Sequence, residues 1–233
     1  MSQLVLPFRL DDHAVFASYY ARGNEPLVAT LTELAGGAAD REGHGCWLWG
    51  AVSTGKTHLL QALCDLAGDR SVFVPLSMFA PAGPLILEGL ASRELVCVDD
   101  IESVAGDPAW EEALFDLCNQ LVDAGGQLVV AASTAPRECP IRLPDLASRL
   151  SRLPVFHVQP LDDEQRVCAL QLRARHRGLE LPDETARYLL KRSRRDMASL
   201  YELLDKLDLE ALRAKRRLTI PFVRDVLQLS ETD

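Results

Sequence analysis

The sequence predicts an α/β fold, a parallel five-stranded sheet flanked by helices, followed by a small all-helical domain. Three observations predict it. An apolar run ending at Gly50 leads into a G-x-x-x-x-G-K-T loop over residues 50–57, and a helix-forming run follows at once. As far as residue 158, short apolar runs alternate with stretches of helical period, which is the pattern of parallel strands joined by crossovers. From Leu161 onward the period is helical throughout. The expected organisation is therefore an extended segment at 1–10, an α/β domain at 11–160 and a helical domain at 161–233.

Composition narrows the class. The 233 residues are 48% hydrophobic, enough for one core and a small appended domain. No apolar run approaches the roughly 20 residues that span a bilayer. The N-terminus lacks a basic region followed by an apolar stretch, so no signal peptide is expected. The six cysteines, at 46, 64, 97, 118, 139 and 168, form no C-x-x-C. Buried free thiols in a reducing, cytoplasmic setting are expected, and a zinc or disulfide framework is not. Residues 1–160 carry 10 basic and 20 acidic side chains, and residues 161–233 carry 15 and 14. An acidic first domain argues against sequence-independent binding to a phosphate backbone. The basic clusters at 191–195 and 213–217 read as solvated helix faces.

Taken in order, Gln3, Leu4, Leu6 and Phe8 lie in an apolar segment too short to fold alone. Two readings stand for it: an extended peptide that docks in a partner's pocket, with Pro7 limiting its conformations, or an edge strand of its own domain. A helix begins at Asn24-Glu25-Pro26, runs to Leu34 and ends at Gly36-Gly37. After the loop strand, a helix is expected over 57–66, then a strand over 71–76 whose Pro75 implies an edge or terminal place. Residues 78–90 alternate Pro and Gly with apolar side chains and carry no clear period. A continuous apolar run over 94–98 ends in Asp99-Asp100, as a parallel strand buried on both faces would. A helix over 110–122 stops at Gly125-Gly126, a buried strand follows over 127–133, a short helix over 143–150 and a last strand over 155–158. Helices are then expected over 162–177, 182–191 and 197–215, with Pro221 in the first turn of a final helix that Thr219 could cap.

The candidate site follows from the chemistry of the loop. Gly50, Ala51, Val52, Ser53, Thr54, Gly55, Lys56, Thr57 and His58 form a phosphate-binding stretch. Its glycines let backbone N–H groups turn inward, and the helix that follows presents its positive end to the anion. Lys56 can reach the β- and γ-phosphates, and the Thr57 hydroxyl can ligate Mg2+. A chance match to this pattern has a probability on the order of one per cent. Asp99, at a strand end about forty positions on, can hold Mg2+ from the other side. Asp100 stands where vigorous ATPases of this architecture place a glutamate, and one methylene less predicts weak or absent hydrolysis. Ser133, at the end of another strand, is a candidate for the γ-phosphate or the attacking water. A helix cap, a structural serine and surface arginines are the plain readings of Asp99, Ser133, Arg149 and Arg195 taken singly.

Together, these residues resemble the AAA+ ATPases, and more narrowly the branch that contains the bacterial replication initiator DnaA. Asp99-Asp100-Ile101-Glu102, Leu143-Pro-Asp-Leu-Ala-Ser148-Arg149-Leu150 and Leu218-Thr-Ile-Pro-Phe-Val223 carry the resemblance, which covers nearly the whole chain. Within that branch the chain is similar to the Hda family of DnaA inactivators. It ends at Asp233 with no helix-turn-helix domain after the helical one. In addition, Gln3-Leu-Val-Leu6-Pro-Phe8 resembles the peptide by which such proteins dock on the polymerase III sliding clamp (its β subunit).

The resemblance implies bound ADP or ATP with Mg2+, and a helical lid. It makes Arg149 an arginine finger acting in trans on an initiator protomer, and Arg195 a lid sensor of nucleotide state. Phe16 and Tyr19 fall where the family packs adenine. The implied activity is stimulation of ATP hydrolysis by DnaA, which switches initiation off. Direct sequence-specific DNA binding and membrane contact are not expected, while a homo-oligomer is compatible with it. Two rivals stand beside this reading: an autonomous ATPase, such as a helicase loader or remodelling partner, and a kinase with a phosphate loop.

Overall fold

The computed structural model describes residues 14–37, 45–192, 196–214 and 216–230, with 228–230 as backbone only. Five strands form one parallel sheet: β1 (Gly45–Trp49), β2 (Ser71–Pro75), β3 (Leu95–Asp99), β4 (Gln127–Ala132) and β5 (Val155–His157). Their order is β2-β3-β4-β1-β5. The edge position of β2 is the place that Pro75 predicts, because a proline cannot donate to a ladder on both sides. β3 is buried at every residue and β4 at all but Gln127, which accounts for their unbroken apolar runs.

The strand order has a consequence for the site. The connection from β1 to β2 passes over β4 and β3, and it does so as α2 (Lys56–Ala67), which packs on β2, β3 and β4. Leu59, Leu60 and Leu63 of that helix are fully buried. On the other face, Trp47, Val96, Val98 and Val130 join Trp110, Leu114, Leu117 and Leu121 of α4 (Pro108–Ala124) in one core. Trp47 is wholly buried, and its indole N–H donates to the Thr134 carbonyl at 3.0 Å. The Pro/Gly-rich stretch between β2 and β3 folds as the single turn α3 (Leu76–Phe79) followed by 3-10 turns between residues 80 and 92. Local turns without a period explain why the sequence shows none there.

α4 starts with Asp107, whose carboxylate accepts from Ala109 and Trp110, and ends at Gly125 in the left-handed conformation. Within it, Glu111 is 2% exposed. Its carboxylate accepts main-chain N–H groups from Gly106 (2.6 Å), Arg142 (2.9 and 3.1 Å) and Leu143 (2.7 Å). This one side chain holds the entry to α5 (Pro144–Leu150), the helix that carries Arg149.

By contacts the chain divides into two compact units. The sheet with α1 (Glu25–Ala35) and α2 to α5 makes up the first. The second contains α6 (Asp163–His176), α7 (Asp183–Arg192), α8 (Met197–Ala214) and α9 (Ile220–Ser230), together with Ala17–Glu25 and Gly50–Gly55. Its core joins Leu170, Leu189, Leu200, Leu204, Leu207 and Val223. α6 opens with a capping box: Asp162 accepts from the Gln165 N–H at 2.8 Å, and the Gln165 side chain accepts from the Asp162 N–H at 2.9 Å. Asn24, 2% exposed, accepts from Gln159 N–H at 2.8 Å and donates to the Gln159 carbonyl at 3.3 Å. The segment before α1 is thereby tied to the segment after β5. Among the described residues no helix is long and apolar enough to cross a membrane.

Replacing Glu111 by alanine leaves buried main-chain donors without an acceptor and is expected to lower stability by roughly 3 kcal/mol. Urea denaturation followed by circular dichroism measures this. A loss below about 1 kcal/mol would show that the Glu111 bonds are dispensable.

Candidate functional site

In the first unit, the start of α2 meets the end of β3. The Thr57 hydroxyl donates to Asp99 Oδ2 at 2.6 Å, and the Asp100 N–H donates to Asp99 Oδ1 at 3.1 Å. Asp99 is 2% exposed. Burial pushes its carboxyl up to about 6, against the Thr57 and Asp100 hydrogen bonds, which favour the ionised form. Lys56, at the first position of α2, is also buried. Burial lowers its pKa, and the carboxylates of Asp99, Glu102 and Asp100 oppose that shift.

A hydroxyl and a carboxylate oxygen this close form a hard-oxygen pair of the kind Mg2+ takes, with waters and phosphates filling the remaining positions. Among the described residues no group of three or more His, Cys, Asp and Glu side chains is arranged to hold a metal. Thr57 and Asp99 could supply two of the oxygens of such a ligand set. A cavity of about 490 Å³ beside β2, lined by Cys64, Asp65, Phe73 and Phe79 among others, contains none of the candidate residues.

The other acids and the serine at the strand ends are each committed to a partner. Asp100 adopts a left-handed backbone (φ 55°), and its Oδ2 accepts from the Ser77 hydroxyl of α3 at 2.7 Å. Glu102 Oε1 accepts from the Ser133 N–H at 2.9 Å. Ser133 is exposed, just past β4. Arg149 lies in the last turn of α5, half-buried, with its guanidinium 5.7 Å from the centroid of the Phe115 ring. His58 Nε2 lies 3.0 Å from the Val15 carbonyl, next to the half-buried Phe16.

In the second unit, the loop Gly50–Gly55 runs directly into Lys56. A Cβ on Gly50 would stand 2.8 Å from the Val158 carbonyl oxygen, so only glycine fits there. Gly55 has φ +95°, and a Cβ there would stand 2.9 Å from Cε2 of Tyr19, whose ring is laid against the loop. Ser53 is also left-handed (φ 63°), while Ala51 accepts from the Thr54 hydroxyl at 2.9 Å and Val52 is exposed. The Tyr19 hydroxyl accepts from Asn24 Nδ2 at 3.2 Å. Burial, and then Tyr201, hold the Tyr19 phenol above its usual range.

Thr57, Asp99 and Lys56 are therefore brought together in the first unit, and Tyr19 and Gly55 in the second. Gln3, Leu4, Leu6, Phe8 and Arg195 lie outside the described residues. Glu102, Asn24 and Glu111 hold this architecture in place, and apart from the place of Glu102 in Asp99-Asp100-Ile101-Glu102 they carry no signal of their own in the sequence. Each reads as an ordinary polar residue, because its partner lies 31 or more positions away.

Comparison with known proteins bears on the fold and on the helical domain. A family model described as Hda, lid domain, matches residues 163–227. Domain III of the replication initiation protein DnaA from Thermotoga maritima is similar in structure, with a TM-score of 0.78 at 20% identity, over 94% of this chain and 98% of that one. Residues 163–227 are thus similar to the lid domain of Hda, and the chain as a whole has the fold of DnaA domain III. AMPPCP-bound DnaA from Aquifex aeolicus is similar with a TM-score of 0.66 at 21% identity, over 88% of this chain and 68% of that one. The RuvB Holliday junction branch migration motor of Thermotoga maritima reaches 0.65 at 17% identity, over 89% and 68%. The RuvB likeness is one of fold, and the Hda likeness is confined to residues 163–227.

Two outcomes are expected of this site. The folded form keeps a proton on Asp99 between pH 3.8 and about 6, where the unfolded chain has lost it. That contribution to metal-free stability is whole below the lower value and disappears as pH rises through the upper one. Asp99→Asn should therefore gain thermal stability relative to wild type as pH rises from 4 to 7. A melting-temperature difference that is flat across this range would contradict the burial argument. Second, Gly50→Ala forces the loop away from Val158 and should abolish nucleotide binding in a fluorescence titration while the far-UV spectrum stays native.

Proposed function

We propose that this AAA+ protein is a regulator of replication initiation that works with a nucleotide bound, ADP in its resting form. It docks on the DNA-loaded sliding clamp and stimulates ATP hydrolysis by DnaA, inactivating the initiator. The observation that carries this reading is the Hda lid at residues 163–227, present on a core with the architecture of DnaA domain III.

Each segment has its own role. Residues 11–160 are the nucleotide-binding core, 161–233 the lid and 1–10 the clamp-binding peptide. Residues 50–58 cradle the phosphates with main-chain N–H groups, and Lys56 neutralises their outer charge. Thr57 and Asp99 would hold Mg2+, and Phe16 and Tyr19 would pack the base. Bound Mg2+ supplies charge neutralisation at the phosphates. The Aquifex aeolicus DnaA of similar fold binds AMPPCP, which supports a nucleotide here.

Asp100 is tied to Ser77 rather than left free, which supports weak or absent intrinsic turnover. Arg149 acts in trans, stabilising the charge that develops on the phosphoryl group of DnaA-bound ATP. Arg195 of the lid reads the nucleotide state. Gln3, Leu4, Leu6 and Phe8 anchor the chain to the clamp.

The deciding assay follows hydrolysis of DnaA-bound ATP in the presence of clamp-loaded DNA. Arg149→Ala is expected to reduce the stimulated rate by roughly 10^3-fold, the lower range for an arginine supplied in trans, with nucleotide affinity unchanged. Undiminished stimulation would remove the finger role. Deleting residues 2–8 should abolish retention on immobilised clamp and lower the stimulated rate in parallel. Retention at the wild-type level would return that segment to its own domain.

A further inference from the structure

The ends of β3 and β4 are held together in an unusual way. Their ladder pairs Leu95 with Gln127 and continues to Val98 with Val130, so it stops before Asp99 on one strand and three residues short of Ser133 on the other. Beyond that point a side chain takes over. Glu102, on the 3-10 turn Ile101–Ser103, accepts the Ser133 N–H through Oε1 at 2.9 Å, across 31 positions of sequence. Its other oxygen, Oε2, is buried and has no hydrogen-bond partner among the described residues. A dry carboxylate oxygen without a donor is costly, and groups left so are retained where something else supplies the donor. The same carboxylate is among those acting on Lys56, after Asp99. Glu102 therefore lies within electrostatic reach of Lys56 while gripping the main chain of Ser133.

We propose that Glu102 is a positioning residue that fixes Ser133 at the end of β4 and thereby sets how well a nucleoside triphosphate competes with the diphosphate for the site. This rests on the reading of residues 50–58 as a nucleotide site and of the Ser133 hydroxyl as the group that meets a third phosphate. A diphosphate leaves that place empty, so a displaced Ser133 costs it nothing. A triphosphate loses one hydrogen bond when Ser133 swings away, and the vacant Oε2 is an acceptor available to water ordered beside the added phosphate.

Equilibrium titrations with ADP and with AMPPCP, each with Mg2+, test this in wild type, Glu102→Ala, Glu102→Gln and Ser133→Ala. Glu102→Ala is expected to weaken AMPPCP about tenfold, as the loss of one hydrogen bond implies, and to leave ADP within about twofold. Glu102→Gln keeps an amide oxygen for the Ser133 N–H and should keep most of the AMPPCP affinity. Ser133→Ala should behave like Glu102→Ala. Equal weakening of both nucleotides by Glu102→Ala would reduce the residue to a structural brace and overturn the proposal. So would a wild-type ratio in Glu102→Ala beside an altered one in Ser133→Ala, with the nucleotide site itself left standing. A wild-type ratio in Ser133→Ala would remove the premise and the proposal together. Failure of wild type to bind either nucleotide would instead overturn the function proposed above.

Discussion

The hydrogen bond between Thr57 and Asp99, 2.6 Å long, is the contact on which the core of this protein turns. It exists because the β1-to-β2 connection must cross β4 and β3 to reach the sheet edge. The helix that makes the crossing starts where the phosphate loop ends, so its first turn comes down beside the carboxyl end of β3. Sheet order, crossover and loop are thus one arrangement. A strand order that placed β2 beside β1 would leave Asp99 away from the loop helix, and the hydroxyl–carboxylate pair would not form. The price is a carboxylate buried in an apolar setting, visible in the raised pKa of Asp99.

Around that contact the acidic residues after β3 divide their partners. Asp99 takes Thr57, Asp100 takes Ser77 and Glu102 takes the Ser133 main chain. Three carboxylates within four residues would repel one another if they pointed the same way. Here the left-handed backbone at Asp100 helps to separate them, sending one to α2, one to α3 and one to β4. The strand end becomes a junction of three elements, and a change in the ligand at one of them bears on the others. Glu111 has the matching role on α4, where a single buried carboxylate gathers the loops at 106 and at 142–143 and so presents α5.

Much of this was legible in the residues themselves. The five strands, the breaks at Gly36-Gly37 and Gly125-Gly126, the edge place of the proline-bearing strand and the helical remainder all rest on periods and caps, which are relations between residues at most a few positions apart. The resemblance to AAA+ proteins and to the DnaA branch was legible too, since it is carried by short strings such as Asp99-Asp100-Ile101-Glu102, and the lid match bears it out. Residues 76–92 were not legible, because short helical turns have no period to read. The packing of Tyr19 on Gly55, and the pairing of Asn24 with Gln159 across 135 positions, left no mark either.

By itself, then, the sequence determined which stretches are strand, helix or phosphate loop, and that a threonine and an aspartate of the right kind stand at the ends of two of them. Only the tertiary structure decided the order of the strands, and with it which carboxylate meets Thr57, which meets Ser77 and which grips Ser133. The reason is physical. Propensity and burial are local properties written residue by residue, whereas a hydrogen bond across 31 or 42 positions depends on where a crossover sets its helix down.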